Sequence, residues 1–270
     1  MTRDLTSRAA RLLGETALDA TSLAGGDLSG VLRLGLSGGR SVVAKGGPAP
    51  LAEAGMLRAM AAAGAPCPEV LAADDAVLVL ADLGDGPPPG PRAWRRCGED
   101  LARLHAAAGP AYGWARDYAF AHVTIANGWQ ETWPAFWAEH RLLPGLERIP
   151  GSLARRVERL AAELPDRLPR RPHPALLHGD LWAGNLHVRA DGRIALIDPA
   201  CYHGHGEVDL AMLGLFGRPH PAFLEGYGPP QPGAREREPI YRLWPALVHL
   251  RLFGRGYAGL VSQCLDQAGA

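Results

Sequence analysis

The sequence is poor in lysine, asparagine and cysteine. Of its 28 basic residues only Lys45 is a lysine, the others being arginine, and asparagine occurs at Asn127 and Asn185 alone. Net charge is zero, 28 basic residues balancing 28 acidic ones, which excludes the broad cationic surface of a general nucleic-acid or membrane binder. The opening MTRDLTSRAARLLG is polar and no apolar run approaches the roughly 18 residues of a membrane span. Cys67, Cys97, Cys201 and Cys264 form no CxxC pair and no dense framework. A disulfide scaffold is thereby excluded and a reducing, cytoplasmic setting is expected.

What is present is a chain of 270 residues, 47% of them hydrophobic, enough for one large domain or two lobes with a real core. A compositional pressure toward Arg, Ala and Gly accounts for the missing lysines and asparagines. The survivors then mark positions where a substitute fails. An ammonium is a compact point charge and a guanidinium a wide planar fork, so a tight pocket accepts the first and rejects the second.

Leu5, Ala9, Leu12 and Leu13 stand at helical spacing near the start. SLAGGDLSGVLRLGL followed by GGRSVVAKGG has the glycine-bracketed alternation of a β-hairpin. Pro50 opens a helix in which Leu51, Ala54, Leu57 and Ala61 share a face, and Gly64 ends it. Two short strands follow in PEVLAA and AVLVLA. GDGPPPGP is a stiff connector, and beyond it long helical patterns take over. The expectation is α+β: a small β-rich lobe over 1–84 with one inserted helix, and a larger, mainly helical lobe over 85–270. Within the second lobe the strands LLH, LHV and IALID flank loops, with Asp191-Gly192 as a hairpin turn.

The chemistry gathers in LLHGDLWAGN and IALID. Asp180 lies on a loop after a strand, Asn185 five residues beyond it, and Asp198 at the end of the next hairpin. A two-stranded hairpin carries Asn185 and Asp198 to neighbouring positions. An amide and two carboxylates suit Mg²⁺, a hard cation that takes few protein carboxylates and shares phosphate oxygens. The spacing matches the phosphotransferase pattern H-x-D-x-x-x-x-N with a strand-ending Asp. In the first lobe Lys45 ends a strand and Glu53 lies near the start of the following helix, a pair that holds an ammonium against the α- and β-phosphates of a nucleotide. The turn at Gly25, Gly26 and Gly30 can close over those phosphates with backbone N–H groups. Backbone groups at Leu80, Ala81 and Asp82 can bond adenine.

HGDLWAGN, the IDPA segment and YHGHGEVDLAM resemble the fructosamine kinase family, within the wider aminoglycoside phosphotransferase and choline kinase superfamily. RDYAF, NGWQETWPAFWAEHRLLPGL and HLRLFGRGY extend the resemblance over nearly the whole chain. It implies a bilobal, protein-kinase-like fold that uses ATP and Mg²⁺ to phosphorylate a sugar hydroxyl of ketoamines such as fructosyl-lysine. The product then decomposes and frees the amine, which is deglycation. Carried over residue by residue, Asp180 is the catalytic base, Asn185 and Asp198 hold metal, and Lys45 with Glu53 anchors phosphate. Trp182 is a wall for the sugar, and His178 is a scaffold residue within reach of substrate. Two departures stand out: many bacterial members carry Arg at the position of Gly206 and an acidic residue at that of Ala81.

An aminoglycoside- or choline-type phosphotransferase is the alternative nearest to this reading. A different class arises from Cys201, His203, His205 and Asp209, all able to bind zinc, as in a zinc-dependent hydrolase, although no HExxH pattern accompanies them. A catalytically inactive nucleotide-binding module is a third. Asp209 is expected to brace the catalytic loop, His105 to be a hydrogen-bonded core residue, and Trp129, Trp133 and Trp137 to pack in the core.

Overall fold

A computed structural model describes residues 2–23 and 30–270. Contacts gather the chain into two compact units, the first made of Met1–Arg103, Gly184–Ala200 and His220–Tyr227, the second of Leu104–Ala183, Cys201–Pro219 and Gly228–Ala270. The arrangement is α+β, as the sequence suggested.

The first unit is built on a five-stranded antiparallel sheet of order β1-β2-β3-β5-β4, with β1 at Ala17–Ser22, β2 at Val31–Leu36, β3 at Ser41–Lys45, β4 at Val70–Ala73 and β5 at Leu78–Ala81. Alternation decides which face is covered. Leu32, Leu34 and Leu36 of β2 are buried with Val42, Ala44, Val77 and Val79, and Ala9 of helix α1 (Thr2–Leu13) packs on them. Each such leucine contributes about 1.5–3 kcal/mol by leaving water. Ala54 and Leu57 of helix α2 (Pro50–Ala62) pack on Leu78 and Leu80.

The buried face of α2 differs from the one read in the sequence. Ala54 and Leu57 are covered as expected, but Leu51 is 44% exposed and Ala61 is also outside, while Glu53, Met56 and Met60 are buried. The helix is turned so that a carboxylate faces inward, and that carboxylate meets Lys45 at the end of β3. An ion pair inside the unit therefore overrides the apolar pattern. Helix α3 (Pro91–Ala106) starts at Pro91, in keeping with proline's place in a first turn. The strands Leu186–Val188 and Ile194–Leu196 form the expected antiparallel hairpin, Leu186 opposite Leu196 and Val188 opposite Ile194.

In the second unit, strand Ala175–Leu177 pairs with Tyr202–Gly204, the latter unforeseen. Helix Trp133–Trp137 is short and passes into a π-helix over Ala138–Leu142. That wider turn sends Arg141 inward. Its guanidinium is fully buried, 4.0 Å from the ring centre of Tyr202 and 4.6 Å from that of Phe136, and it donates to the Ala126 carbonyl and to Asn127 Oδ1. Ring faces and carbonyls replace water around the charge. Trp133 and Trp137 are core residues; Trp129 is instead 45% exposed, stacked on His203.

Candidate active site

Lys45 is the last residue of β3, and its Nζ donates to Glu53 Oε1 at 2.8 Å and to Asp198 Oδ1 at 2.8 Å. Burial works against the charge, but the carboxylates, Glu53 first and Asp198 next, outweigh it and hold the ammonium above its usual range. Lys45 and Glu53 are both buried, whereas the Asp198 side chain is 32% exposed. The hairpin brings Asp198 here: the Ile197 amide donates to the Asn185 carbonyl at 3.1 Å, so Asn185 lies beside the residue preceding Asp198. Asp198 takes a left-handed backbone, φ 56°, a conformation aspartate tolerates better than most residues and one that clusters at functional sites.

Lys45, Glu53, Asn185 and Asp198 thus belong to one unit. The donor set at the open end of the hairpin, one amide and one partly exposed carboxylate, is all oxygen and fits a hard divalent cation. Leu80, Ala81 and Asp82 lie at the end of β5 in the same unit. The Ala81 amide is already given to the Glu69 carbonyl at 2.9 Å. That N–H, spent on the residue before β4, is not offered to a base, so the reading of Ala81 beside adenine concerns its carbonyl alone. The Asp82 carboxylate accepts from Ser41 Oγ at 2.7 Å and from the Gly84 amide at 3.0 Å, and pairs with Arg33 Nε at 2.8 Å. Gly25 and Gly26 lie outside the described residues.

The loop that carries Asp180 is shaped in the second unit. Asp209, the third residue of helix Glu207–Leu213, is fully buried, and its Oδ2 accepts from the His178 amide at 2.7 Å while Oδ1 accepts from the Gly179 amide at 2.9 Å. His105 Nε2 lies 3.0 Å from Oδ2. Burial raises the carboxyl's pKa, but the His105 hydrogen bond, the nearness of the His105 and His178 rings and the Gly179 amide outweigh it and hold the group below the usual carboxylate range. Gly179 sits at φ 80°, which is why glycine precedes Asp180. The Asp180 amide in turn donates to His178 Nδ1 at 3.3 Å. The bracing role read for Asp209 and the scaffold role read for His178 are what the hydrogen bonds show. Trp182 is 39% exposed.

The zinc arrangement is not formed. Among the described residues no group of three or more His, Cys, Asp or Glu side chains could hold a metal ion. Asp209 serves the loop amides, His205 Nδ1 lies 2.8 Å from the Tyr241 hydroxyl, and Cys201 is fully buried. Burial, only partly offset by Glu207, pushes His205 down to about 4, so its imidazole is neutral near pH 7.

One contact the sequence reading missed is made by His187, whose Nε2 donates to the Gly84 carbonyl at 2.6 Å. A histidine inside a three-residue strand two positions after Asn185 was its only trace.

Comparison with known proteins identifies the family. A model of the fructosamine kinase family matches residues 19–269. A protein of Synechocystis sp. that carries the name probable ketoamine kinase is 40% identical over 187 residues, 64% of this chain and 61% of its own length, so the match spans less than two thirds of that relative. The crystal structure of a candidate fructosamine-3-kinase from Thermobifida fusca superposes with TM-score 0.90 at 32% identity, covering 99% of both chains. An amicoumacin kinase solved with AMP-PNP and Ca²⁺ shares the fold alone, TM-score 0.64 at 19% identity over 98% of this chain and 92% of its own. With nearly the whole length matched by the family model and the same architecture in a solved relative, the chain belongs to the fructosamine kinase family.

Proposed function

We propose that the protein is an ATP-dependent kinase that transfers the γ-phosphoryl group of ATP to a sugar hydroxyl of a ketoamine, of fructosyl or ribulosyl type. The observation that carries the reading is the Lys45 ammonium held at 2.8 Å from both Glu53 and Asp198. A buried cation fixed by one carboxylate on a helix and one on the metal hairpin is what a triphosphate site requires. The substrate class is taken from the Synechocystis relative, which carries the name probable ketoamine kinase.

In this reading residues 1–84 form the nucleotide-binding lobe and 85–270 the catalytic and substrate-binding lobe. Leu80 and Asp82 border the adenine, and Lys45, oriented by Glu53, binds the α- and β-phosphates. Asn185 and Asp198 would hold Mg²⁺, which when bound supplies charge neutralisation to the phosphates. Asp180 accepts the proton of the attacking sugar hydroxyl, whose oxygen bonds to the γ-phosphorus as the bond to the β–γ bridging oxygen breaks and ADP leaves. A placed general base contributes roughly 10²–10⁴-fold, and positioning does much of the rest. Asp209 keeps His178 and Gly179 in shape so that Asp180 is presented, and Trp182 offers a ring face to the sugar. The phosphorylated ketoamine then loses its amine, so the outcome is deglycation.

The test is a panel of fructosyl and ribulosyl amines, aminoglycosides and choline incubated with ATP and Mg²⁺, the products followed by phosphorus NMR. A new phosphomonoester on a ketoamine, matched by ADP, is expected. Phosphate appearing on an aminoglycoside or choline in preference would refute the substrate class, and no ADP above background would refute the kinase.

A further inference from the structure

We infer that His187 is a positioning residue for the metal-holding pair Asn185 and Asp198, acting by tying their hairpin to the segment that follows β5; this rests on the kinase reading above. The chain leaving β5 does not run straight to α3. It runs beside the hairpin, joined to it by three hydrogen bonds: the Ala190 amide donates to the Leu83 carbonyl at 3.1 Å, the Gly86 amide to the Val188 carbonyl at 2.8 Å, and His187 Nε2 to the Gly84 carbonyl at 2.6 Å. A Cβ on Gly86 would stand 2.0 Å from the Arg189 carbonyl oxygen, so that approach is open only to glycine. The hairpin's other strand is fixed as well, the Leu196 amide donating to the Pro66 carbonyl at 2.8 Å.

These contacts close a ring within the first unit. From β3, Ser41 Oγ donates to the Asp82 carboxylate, which also takes the Gly84 amide; the Gly84 carbonyl takes His187; the hairpin carries Asn185 and Asp198; and Asp198 returns to β3 through Lys45. In a closed ring the hairpin cannot pivot about its Lys45 contact alone. His187 is the one side chain of the hairpin in this ring between Asp82 and the metal pair, and it stands two residues from Asn185. Loss of its N–H leaves Asn185 and Asp198 in place chemically but free to shift by the few tenths of an ångström that a cation with strict octahedral demands does not accept.

Two variants separate positioning from packing: His187→Phe keeps a ring without the donor, and His187→Gln keeps an N–H donor without the ring. Mn²⁺ affinity at saturating AMP-PNP is read from the electron paramagnetic resonance of free Mn²⁺, and adenosine, which has no phosphate, is titrated by calorimetry. H187F is expected to weaken Mn²⁺ about tenfold, the worth of one net hydrogen bond. H187Q should lie within about threefold of the parent protein, and adenosine affinity should be unchanged in both. Equal Mn²⁺ affinity in H187F and the parent, a Gln variant no better than Phe, or adenosine weakened as much as Mn²⁺ would each overturn the inference alone. A parent protein that binds no Mn²⁺ with AMP-PNP would overturn the kinase reading together with it.

Discussion

Two carboxylates illustrate two ways of using a negative charge. Asp198, in the first unit, is one-third exposed and answers to a cation, Lys45, that itself serves two partners. Asp209, in the second, is wholly buried and spends its oxygens on two successive backbone amides and an imidazole. The first arrangement holds charge against charge and can be rearranged by an incoming polyanion. The second fixes backbone and gives up nothing to a ligand. The contrast predicts that changes around Asp198 act on ligand handling and changes around Asp209 on stability and loop shape.

The largest effect belongs to the loop that Asp209 supports. Asp180→Asn should lower turnover by roughly 10²–10⁴-fold, the worth of a placed general base, while calorimetry finds nucleotide affinity nearly intact. Full activity in that variant would remove Asp180 from the chemistry. Next, Asp209→Ala removes the acceptor that serves the His178 and Gly179 amides and faces His105 Nε2, at about 1–3 kcal/mol per buried group, so urea denaturation should register a loss of several kcal/mol. A loss near zero would mean that the loop holds itself. Lys45→Arg, which keeps the charge, should cost roughly 10–100-fold in kcat/KM, in line with about 1.5–3 kcal/mol for a displaced charge-assisted bond. Its stability should change less than that of the Asp209 variant, and the reverse order would collapse the comparison.

The smallest effect is one of pH. His205 titrates near 4 in the folded protein and near 6.5 when unfolded. The unfolded chain therefore takes up the proton first as pH falls. The stability this group contributes is complete above pH 6.5 and declines between 6.5 and about 4, by on the order of 1–3 kcal/mol. His205→Gln should flatten the stability profile over that window only. Asp209 has the same sign at lower pH: its carboxyl is held below the usual range, so its contribution is present above the unfolded value of about 3.9 and lost as pH falls through the folded one.

Much of this was legible because it is local. Asn185 and Asp198 flank one hairpin, and Lys45 and Glu53 stand at a strand end and in the next helical turn, so short-range geometry determines both pairs. The Asp209 brace was readable from an acidic residue in EVDLAM but not its targets, since amides of residues 178 and 179 have no mark in sequence. What failed is non-local. The face of α2 was read from its apolar residues, and Glu53 turned it. The π-turn that buries Arg141 has no periodic signature, because the ring faces of Tyr202 and Phe136 receive the charge. Neither does chain order reveal that residues 184–200 gather with the sheet of the first unit.

Because the sequence has one lysine, selective ¹⁵N-lysine labelling yields a single side-chain resonance that reports on the ammonium bridging Glu53 and Asp198. On addition of AMP-PNP with Mg²⁺ that resonance should shift and remain an ammonium signal at pH 7, as the cation exchanges part of its carboxylate contact for phosphate. A resonance that nucleotide leaves unmoved would contradict the claim that Lys45 is the phosphate anchor of a kinase.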